Sequence, residues 1–135
     1  MDVLKSESLP VRTSEDVVLV RTSVRKMAAE LKFGIVDQTK IVTAASEIAR
    51  NTLDYGRGGD LRMEALDNGL KRGLRLIFAD RGPGIGDIDL ALRDGFTSGN
   101  GMGLGLGGTR RLMDEFEIVS RLNEGTIVTI TKWSR

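Results

Sequence analysis

Hydrophobic and polar positions divide the chain into stretches of two different periods. Val17, Val20, Val24, Met27 and Leu31 recur three or four residues apart, the spacing of one helical face. Ser14, followed by Glu15 and Asp16, supplies a cap with acids in the first turn, and Gly34 is expected to stop this helix. A second helix is predicted from about Asp37 to Tyr55, carrying Ile41, Ala44, Ala45, Ile48, Ala49 and Leu53 on its apolar side. Gly56, Gly58 and Gly59 end it.

The period then changes to two. Leu61, Met63 and Ala65 alternate with Arg62 and Glu64, and Leu74, Leu76 and Phe78 alternate in turn, so two strands are expected with a hairpin over Asn68 to Gly73. A short extended segment (Leu9 to Arg12) precedes the first helix. Further on, Ile88 to Arg93 reads as a short helix and Leu106 to Glu115 as a longer one. Strands over Phe116 to Leu122 and Thr126 to Trp133, joined by a turn at Asn123-Glu124-Gly125, close the chain. This order predicts an α+β fold, a two-layer sandwich of a mostly antiparallel mixed sheet covered by about three helices. With 135 residues and no repeat or linker, the chain reads as one domain over 1–135, its first ten residues a candidate flexible lead.

Composition then narrows the chemistry. Zero cysteine removes disulfides, thiol nucleophiles and thiolate metal sites. Zero histidine removes the Ser-His-Asp triad, imidazole zinc ligands and a histidine phosphoacceptor. Acid–base work is left to carboxylates, lysine or tyrosine. Twenty basic and nineteen acidic residues leave a net charge of +1, against a nucleic-acid footprint. No apolar run reaches the ~20 residues of a membrane span, and the opening lacks a signal-peptide core, so a cytoplasmic protein without membrane or nucleic-acid partners is expected. Of seventeen glycines, fifteen lie between Gly56 and Gly108, a clustering that points to special backbone geometry.

Three segments carry candidate chemistry. Glu47 and Asn51 stand four apart on the second helix and share a face with Lys40, Ala44 and Asp54. A carboxylate there can act as general base, and a neutral amide oxygen can hold Mg²⁺ without cancelling its charge. The same pair also suits an ordinary solvated face, with Glu47 paired to Arg50. Asp80 ends an apolar strand and is followed by Gly82, Gly84 and Gly86, which suits close approach of backbone to a flat ligand whose exocyclic amine the carboxylate could meet. The stretch from Gly95 to Thr109 has no charge and seven glycines, and it leads into a helix, presenting N–H donors to an anion. Its G-x-G-x-x-G match lacks the preceding strand of a dinucleotide site, and no Gly-Lys-Ser/Thr follows to make a P-loop. Gly125-Thr126 opens the last strand, where a threonine is an ordinary β residue.

Together, Glu47-x-x-x-Asn51, Asp80-x-Gly82-x-Gly84, the Gly101 to Gly105 cluster and Gly125-Thr126 resemble the four ordered motifs of the GHKL ATP-binding fold. The runs VDQTKIVTAASEIARN, DRGPGI, DGFTSG and RLMDEFEI are most similar to the small bacterial serine/threonine kinases of the anti-sigma regulatory type, including the switch kinases of the stressosome. The resemblance covers the chain from about Val11. It implies Glu47 as general base, Asn51 as Mg²⁺ ligand, Asp80 as the adenine-reading carboxylate and Thr126 as a water-mediated adenine contact. Gly82 and Gly84 would floor the pocket, and residues from about Gly95 to Gly105, including Gly101 and Gly103, would form an ATP lid. Asp54 stands where many histidine kinases carry lysine, and the lid has no arginine, so Arg110 and Arg111 are the available cations.

The implied function is a protein kinase that uses Mg²⁺-ATP to phosphorylate a STAS-domain scaffold or antagonist in a stress or sigma-factor switch. The alternative is a nucleotide-gated binding protein that holds a sigma factor or activates a PP2C-type phosphatase. Glu47 favours the kinase, since a pure binding module has no need of a base.

Overall fold

The computed structural model describes residues 1–86, 88, 92 and 105–135. Five strands form one sheet: β1 (Asp2–Val11), β2 (Gly59–Asp67), β3 (Arg72–Asp80), β4 (Glu115–Arg121) and β5 (Gly125–Trp133). Three helices accompany them: α1 (Ser14–Glu30), α2 (Ile35–Asp54) and α3 (Gly105–Leu112). The spatial order is β1-β2-β3-β5-β4, and every pairing is antiparallel, so the expected mixed sheet is antiparallel throughout the described residues.

Alternation along the strands sends one set of side chains to the helices. Leu61, Phe78, Val128 and Ile118 follow one another across the sheet in register, and Met63, Leu76 and Ile130 form the next row. Val17, Val20, Val24 and Met27 of α1 and Ile41, Ala44, Ala45 and Ile48 of α2 close over them. The small Ala44, Ala45 and Ala49 let α2 lie close to its neighbours, and all three are fully buried. This places α2 across the centre of the sheet, where its polar face can look along the strand ends. No helix among the described residues is long and apolar enough to cross a membrane.

Several boundaries differ from the sequence reading, each for a local reason. The cap of α1 is Thr13, not Ser14. Its hydroxyl accepts from the Asp16 amide at 3.1 Å, while the Asp16 carboxylate accepts from the Thr13 amide at 3.1 Å, forming a reciprocal capping box. Gly34 does not stop α1. The helix closes at Glu30 with Lys32 in the left-handed region (φ 69°), and Gly34 becomes the extended N-cap of α2. Buried Gln38 holds that connection by donating to the Phe33 carbonyl at 2.8 Å. The opening strand runs from Asp2, well before Leu9, because residues 2–11 pair with β2 along its length. Of the predicted helix over Ile88 to Arg93, only Ile88 and Leu92 are among the described residues, with the Leu92 amide donating to the Ile88 carbonyl at 3.0 Å.

Two ionic arrangements fix the lower half of the molecule. Lys132, 5% exposed, donates its ammonium to the carbonyl of Leu112, the last residue of α3, at 3.1 Å, and pairs with Asp114 at 3.6 Å. A cation at a helix C-terminus meets both the orphan carbonyl and the negative end of the helix dipole. On the sheet face away from the helices, buried Glu64 takes two Arg75 nitrogens on Oε1 (2.7 and 2.6 Å) and the Arg62 Nε–H on Oε2 at 3.1 Å. Burial alone would push the Glu64 carboxyl up. The hydrogen bonds and charges of Arg75 and Arg62 outweigh it and hold the group below its ordinary value.

A folded-state value below the unfolded one means that this contribution is complete above the ordinary glutamate range. It is lost as pH falls through the lowered folded value. Glu64→Gln is therefore expected to melt on the order of 5 °C lower at pH 7. Thermal unfolding of both proteins in steps from pH 7 to pH 3 should show the gap closing on the acid side. A constant gap across that range would contradict the assignment.

Candidate functional site

Asp80 is the last residue of β3, and the sequence immediately around it is shaped to its carboxylate. Oδ1 accepts from the Gly82 amide at 2.9 Å, closing the turn after the strand, and from the Thr126 amide at 3.2 Å across the start of β5. Among the described residues nothing donates to Oδ2. One side of the carboxylate is thus fixed by backbone while the other oxygen remains available to a ligand. The glycines around it are spatial requirements. A Cβ on Gly56 would strike the Asp80 carboxylate, one on Gly82 would come within 2.7 Å of the Gly56 Cα, and one on Gly125 would strike the Asp80 carbonyl. Gly84 and Gly125 are also left-handed (φ 78° and 104°). Gly82 thus packs on Gly56 beside Asp80, and Gly84 packs on the Arg121 carbonyl at the β4–β5 hairpin.

Thr126 is 8% exposed, and its hydroxyl lies 2.7 Å from that of Ser120. Ser120 in turn accepts from the Ile85 amide at 2.7 Å, so the loop after Asp80 is tied to the β4–β5 hairpin. The Asn123 amide adds a second tie to the Pro83 carbonyl at 2.7 Å. Ser120 and Gly56 belong to this site, and the motif reading passed over both. A signal was present for the first: Phe116, Ile118 and Ser120 occupy the inward phase of β4, and the third is polar.

The other end of the site lies on α2. Glu47 and Asn51 are one turn apart and both half-buried, as their spacing requires. The Glu47 carboxylate accepts from the amide of Gly105, the first residue of α3, at 3.1 Å. That amide is one of the helix's orphan donors, and the residue is left-handed at φ 69°. Thr109 steadies the same turn by donating to the Gly105 carbonyl at 3.0 Å. Arg50 pairs with Asp54 at 4.0 Å, so the ordinary alternative for Glu47, a partnership with Arg50, does not occur. Asn51 anchors the end of α2 through its backbone carbonyl, which takes the Tyr55 and Gly56 amides at 2.9 and 3.1 Å. Its side-chain amide has no partner among the described residues. Arg110 and Arg111 sit exposed in the last turn of α3. Gly101 and Gly103 lie outside the described residues.

The structure thus gathers Glu47, Asn51 and Gly105 at one place and Asp80, Gly82, Gly84 and Thr126 at another. Residues 47 to 54 of α2 span about 10 Å between them. That arrangement suits an elongated ligand with a planar donor at one end and an anion at the other. Clusters of three or more acidic side chains able to cage a metal are absent among the described residues. A divalent ion here would depend on the neutral Asn51 oxygen, phosphate oxygens and water, the donor set Mg²⁺ commonly takes.

Residues 11–132 match the model of the histidine kinase-like ATPase domain. The chain belongs to that family. It is similar to the serine/threonine-protein kinase RsbT of Bacillus subtilis, at 45% identity over 93% of this chain and 94% of that protein. The anti-sigma F factor of Thermoanaerobacter sp. (strain X514) is 32% identical over 89% of this chain and 87% of its own. Among solved structures, the RsbU and RsbW domains of a Mycobacterium tuberculosis protein superpose with a TM-score of 0.68 at 23% identity. That alignment covers 97% of this chain and 33% of the larger one. The mycobacterial sensor histidine kinase MprB gives 0.58 at 18% identity, with 97% and 99% covered. These two likenesses establish the fold, the α+β sandwich expected from the sequence.

One consequence separates the site from its scaffold. Gly56→Ala adds a methyl group where the Asp80 carboxylate now stands, in a backbone conformation that alanine tolerates. The variant is expected to bind ATP at least about tenfold more weakly, since Asp80 must rotate off its two amides. Calorimetric titration beside a thermal melt checks this, with the melt expected to shift by only a few degrees.

Proposed function

We propose that this chain is an ATP-dependent protein-serine/threonine kinase, with Glu47 as its base and Asp80 as its adenine-reading carboxylate. The observation that carries the reading is the half-fixed Asp80: Oδ1 is held by two backbone amides and Oδ2 is left for a ligand's amine. The family's ATPase character and the similarity to RsbT supply the nucleotide and the reaction class.

In this reading adenine lies against Gly82 and Gly84 with its exocyclic amine on Asp80, and Thr126 supports it through water. Gly101 and Gly103 are taken to meet the phosphates with backbone amides, while Gly105, where α3 begins, gives its amide to Glu47. Asn51 would hold Mg²⁺ through its amide oxygen, and the ion would supply neutralisation of phosphate charge. Glu47 accepts the proton of the acceptor hydroxyl as that oxygen bonds to the γ-phosphorus and the bond to ADP breaks. Its tie to the Gly105 amide fixes the carboxylate's direction and leaves one oxygen for that proton.

The partner is taken to be a STAS-domain protein in a stress or sigma-factor switch, within a single cytoplasmic kinase domain spanning 1–135. The similarity to anti-sigma F factors supports a second output, holding a sigma factor or activating a PP2C-type phosphatase according to nucleotide state.

Glu47→Gln should bind ATP close to normally and transfer phosphate at a rate lower by roughly 10² or more. Asp80→Asn should weaken ATP binding by about 1–3 kcal/mol while leaving the fold intact. The assays are radiolabelled transfer to a purified STAS-domain substrate and calorimetry with ATP and GTP. Equal transfer by wild type and Glu47→Gln would remove Glu47 as base. Equal affinity for ATP and GTP would remove the adenine assignment.

A further inference from the structure

The sheet face turned away from the helices carries a cleft that touches the site above at Asp80 and Thr126 and whose arginines the kinase reading does not use. Pro10, Asp60, Ala79, Ile127 and Val119 are cross-strand partners in one row at the end of all five strands, so their side chains share this outer face. Ile127 and Val119 are 45% and 48% exposed, an apolar floor left in water. Around it opens a cleft of about 920 Å³, rimmed by Arg12, Arg57, Arg81 and Arg121.

Charge on that rim is unbalanced. Arg12 is engaged by Asp60 at 3.6 Å. Arg57, Arg81 and Arg121 have no ion-pair partner among the described residues; Glu124 and Asp80 are the further acids lining the cleft, and Asp80 is turned to the Gly82 and Thr126 amides. Arg57 is also held in the left-handed region, at φ 61°, between Gly56 and Gly58. An arginine in that conformation costs on the order of 1 kcal/mol that glycine would not, and it swings its side chain to the rim.

We propose that this cleft docks an acidic segment of a partner protein, its carboxylates on Arg57, Arg81 and Arg121 and an apolar side chain on Ile127 and Val119. Guanidinium forks match carboxylates in two-point geometry, and arginine beside exposed aliphatic surface is the composition of an interface centre. The apolar floor is wasted on a free phosphate. Asp60, Glu124 and a net charge of +1 argue against nucleic acid. The proposal uses neither Glu47 nor Asn51, and its docking residues Arg57, Arg81, Arg121, Ile127 and Val119 are separate from those given to the nucleotide, although Asp80 and Thr126 also line the cleft.

The probe is a fluorescein-labelled peptide of alternating Glu-Glu-Leu triplets, titrated against the full chain by anisotropy and by amide chemical-shift mapping. A peptide with lysine in place of glutamate and a single-stranded RNA oligomer run beside it. The acidic peptide is expected to bind, to shift amides around 57–60, 79–81 and 119–127, and to lose affinity as salt rises. Arg57→Glu with Arg121→Glu should weaken it at least roughly tenfold, while Lys26→Glu with Arg25→Glu, on exposed α1, should change it less than about twofold. Melting curves for both pairs, expected to stay within a few degrees of wild type, keep folding out of the comparison. Shifts elsewhere on the molecule, equal weakening by both pairs, or tighter binding of the RNA oligomer through the same arginines would each overturn the proposal. So would sedimentation showing a dimer that the Arg57/Arg121 pair dissolves, since the occupant would then be a second copy.

Discussion

A single carboxylate oxygen joins the three parts of the chain that build the site. Asp80 Oδ1 accepts from the turn that follows its own strand and from the first residues of β5, and its side chain fills the space that Gly56 leaves at the end of α2. Each contact excludes alternatives: Gly56, Gly82 and Gly125 are glycines because backbone or carboxylate occupies the volume a side chain would need. Remove the carboxylate and two backbone donors lose their partner, so the loop, hairpin and helix end would no longer be held to a common distance.

The layered fold was legible because its causes are periodic. The apolar positions of α2 and the alternation in β3 and β5 are strong enough that burial follows them nearly residue by residue: Ile41, Ala44, Ala45 and Ile48 are inside, as are Leu74, Leu76 and Phe78. Boundaries depend on weaker and more local choices. Ser14 and Thr13 are both acceptable caps, and the reciprocal bonds with Asp16 decide for Thr13. Gly34 invites a helix stop, yet Lys32 accepts the left-handed turn and leaves the glycine to start the next helix. The residues preceding Leu9 alternate poorly, because an edge strand takes its stability from backbone pairing and few of its side chains are buried.

The site was legible in part for a similar reason. Glu47, Asn51, Asp80 and the glycines announce themselves as unusual residues at fixed spacing. Ser120 and Gly56 do not, because their roles depend on who stands opposite: Ser120 faces Thr126 only through the β4–β5 register, and Gly56 meets Asp80 only through the fold. The outer cleft is still less visible in the sequence. Its four arginines come from three connections, at 12, 57 and 81, and from the end of β4 at 121, and the antiparallel order brings those strand ends together.

The fastening of α3 at its C-terminal end has a geometric consequence. Lys132 pins the carbonyl of Leu112, and the Asp114 amide is bonded to Thr131 at 3.0 Å, so the C-terminal end of this helix is fastened to β5 at two adjacent points. Its opposite end meets α2 through the hydrogen bond between Gly105 and Glu47, and residues 105–109 are buried. A tilt of the helix about that fastening displaces each residue in proportion to its distance from it. Over an eight-residue helix that arm is about 12 Å long, so a tilt of 10° at the foot would carry the Gly105 amide roughly 2 Å. The fastening of α3 to β5 thus sets where the amide that meets Glu47 stands.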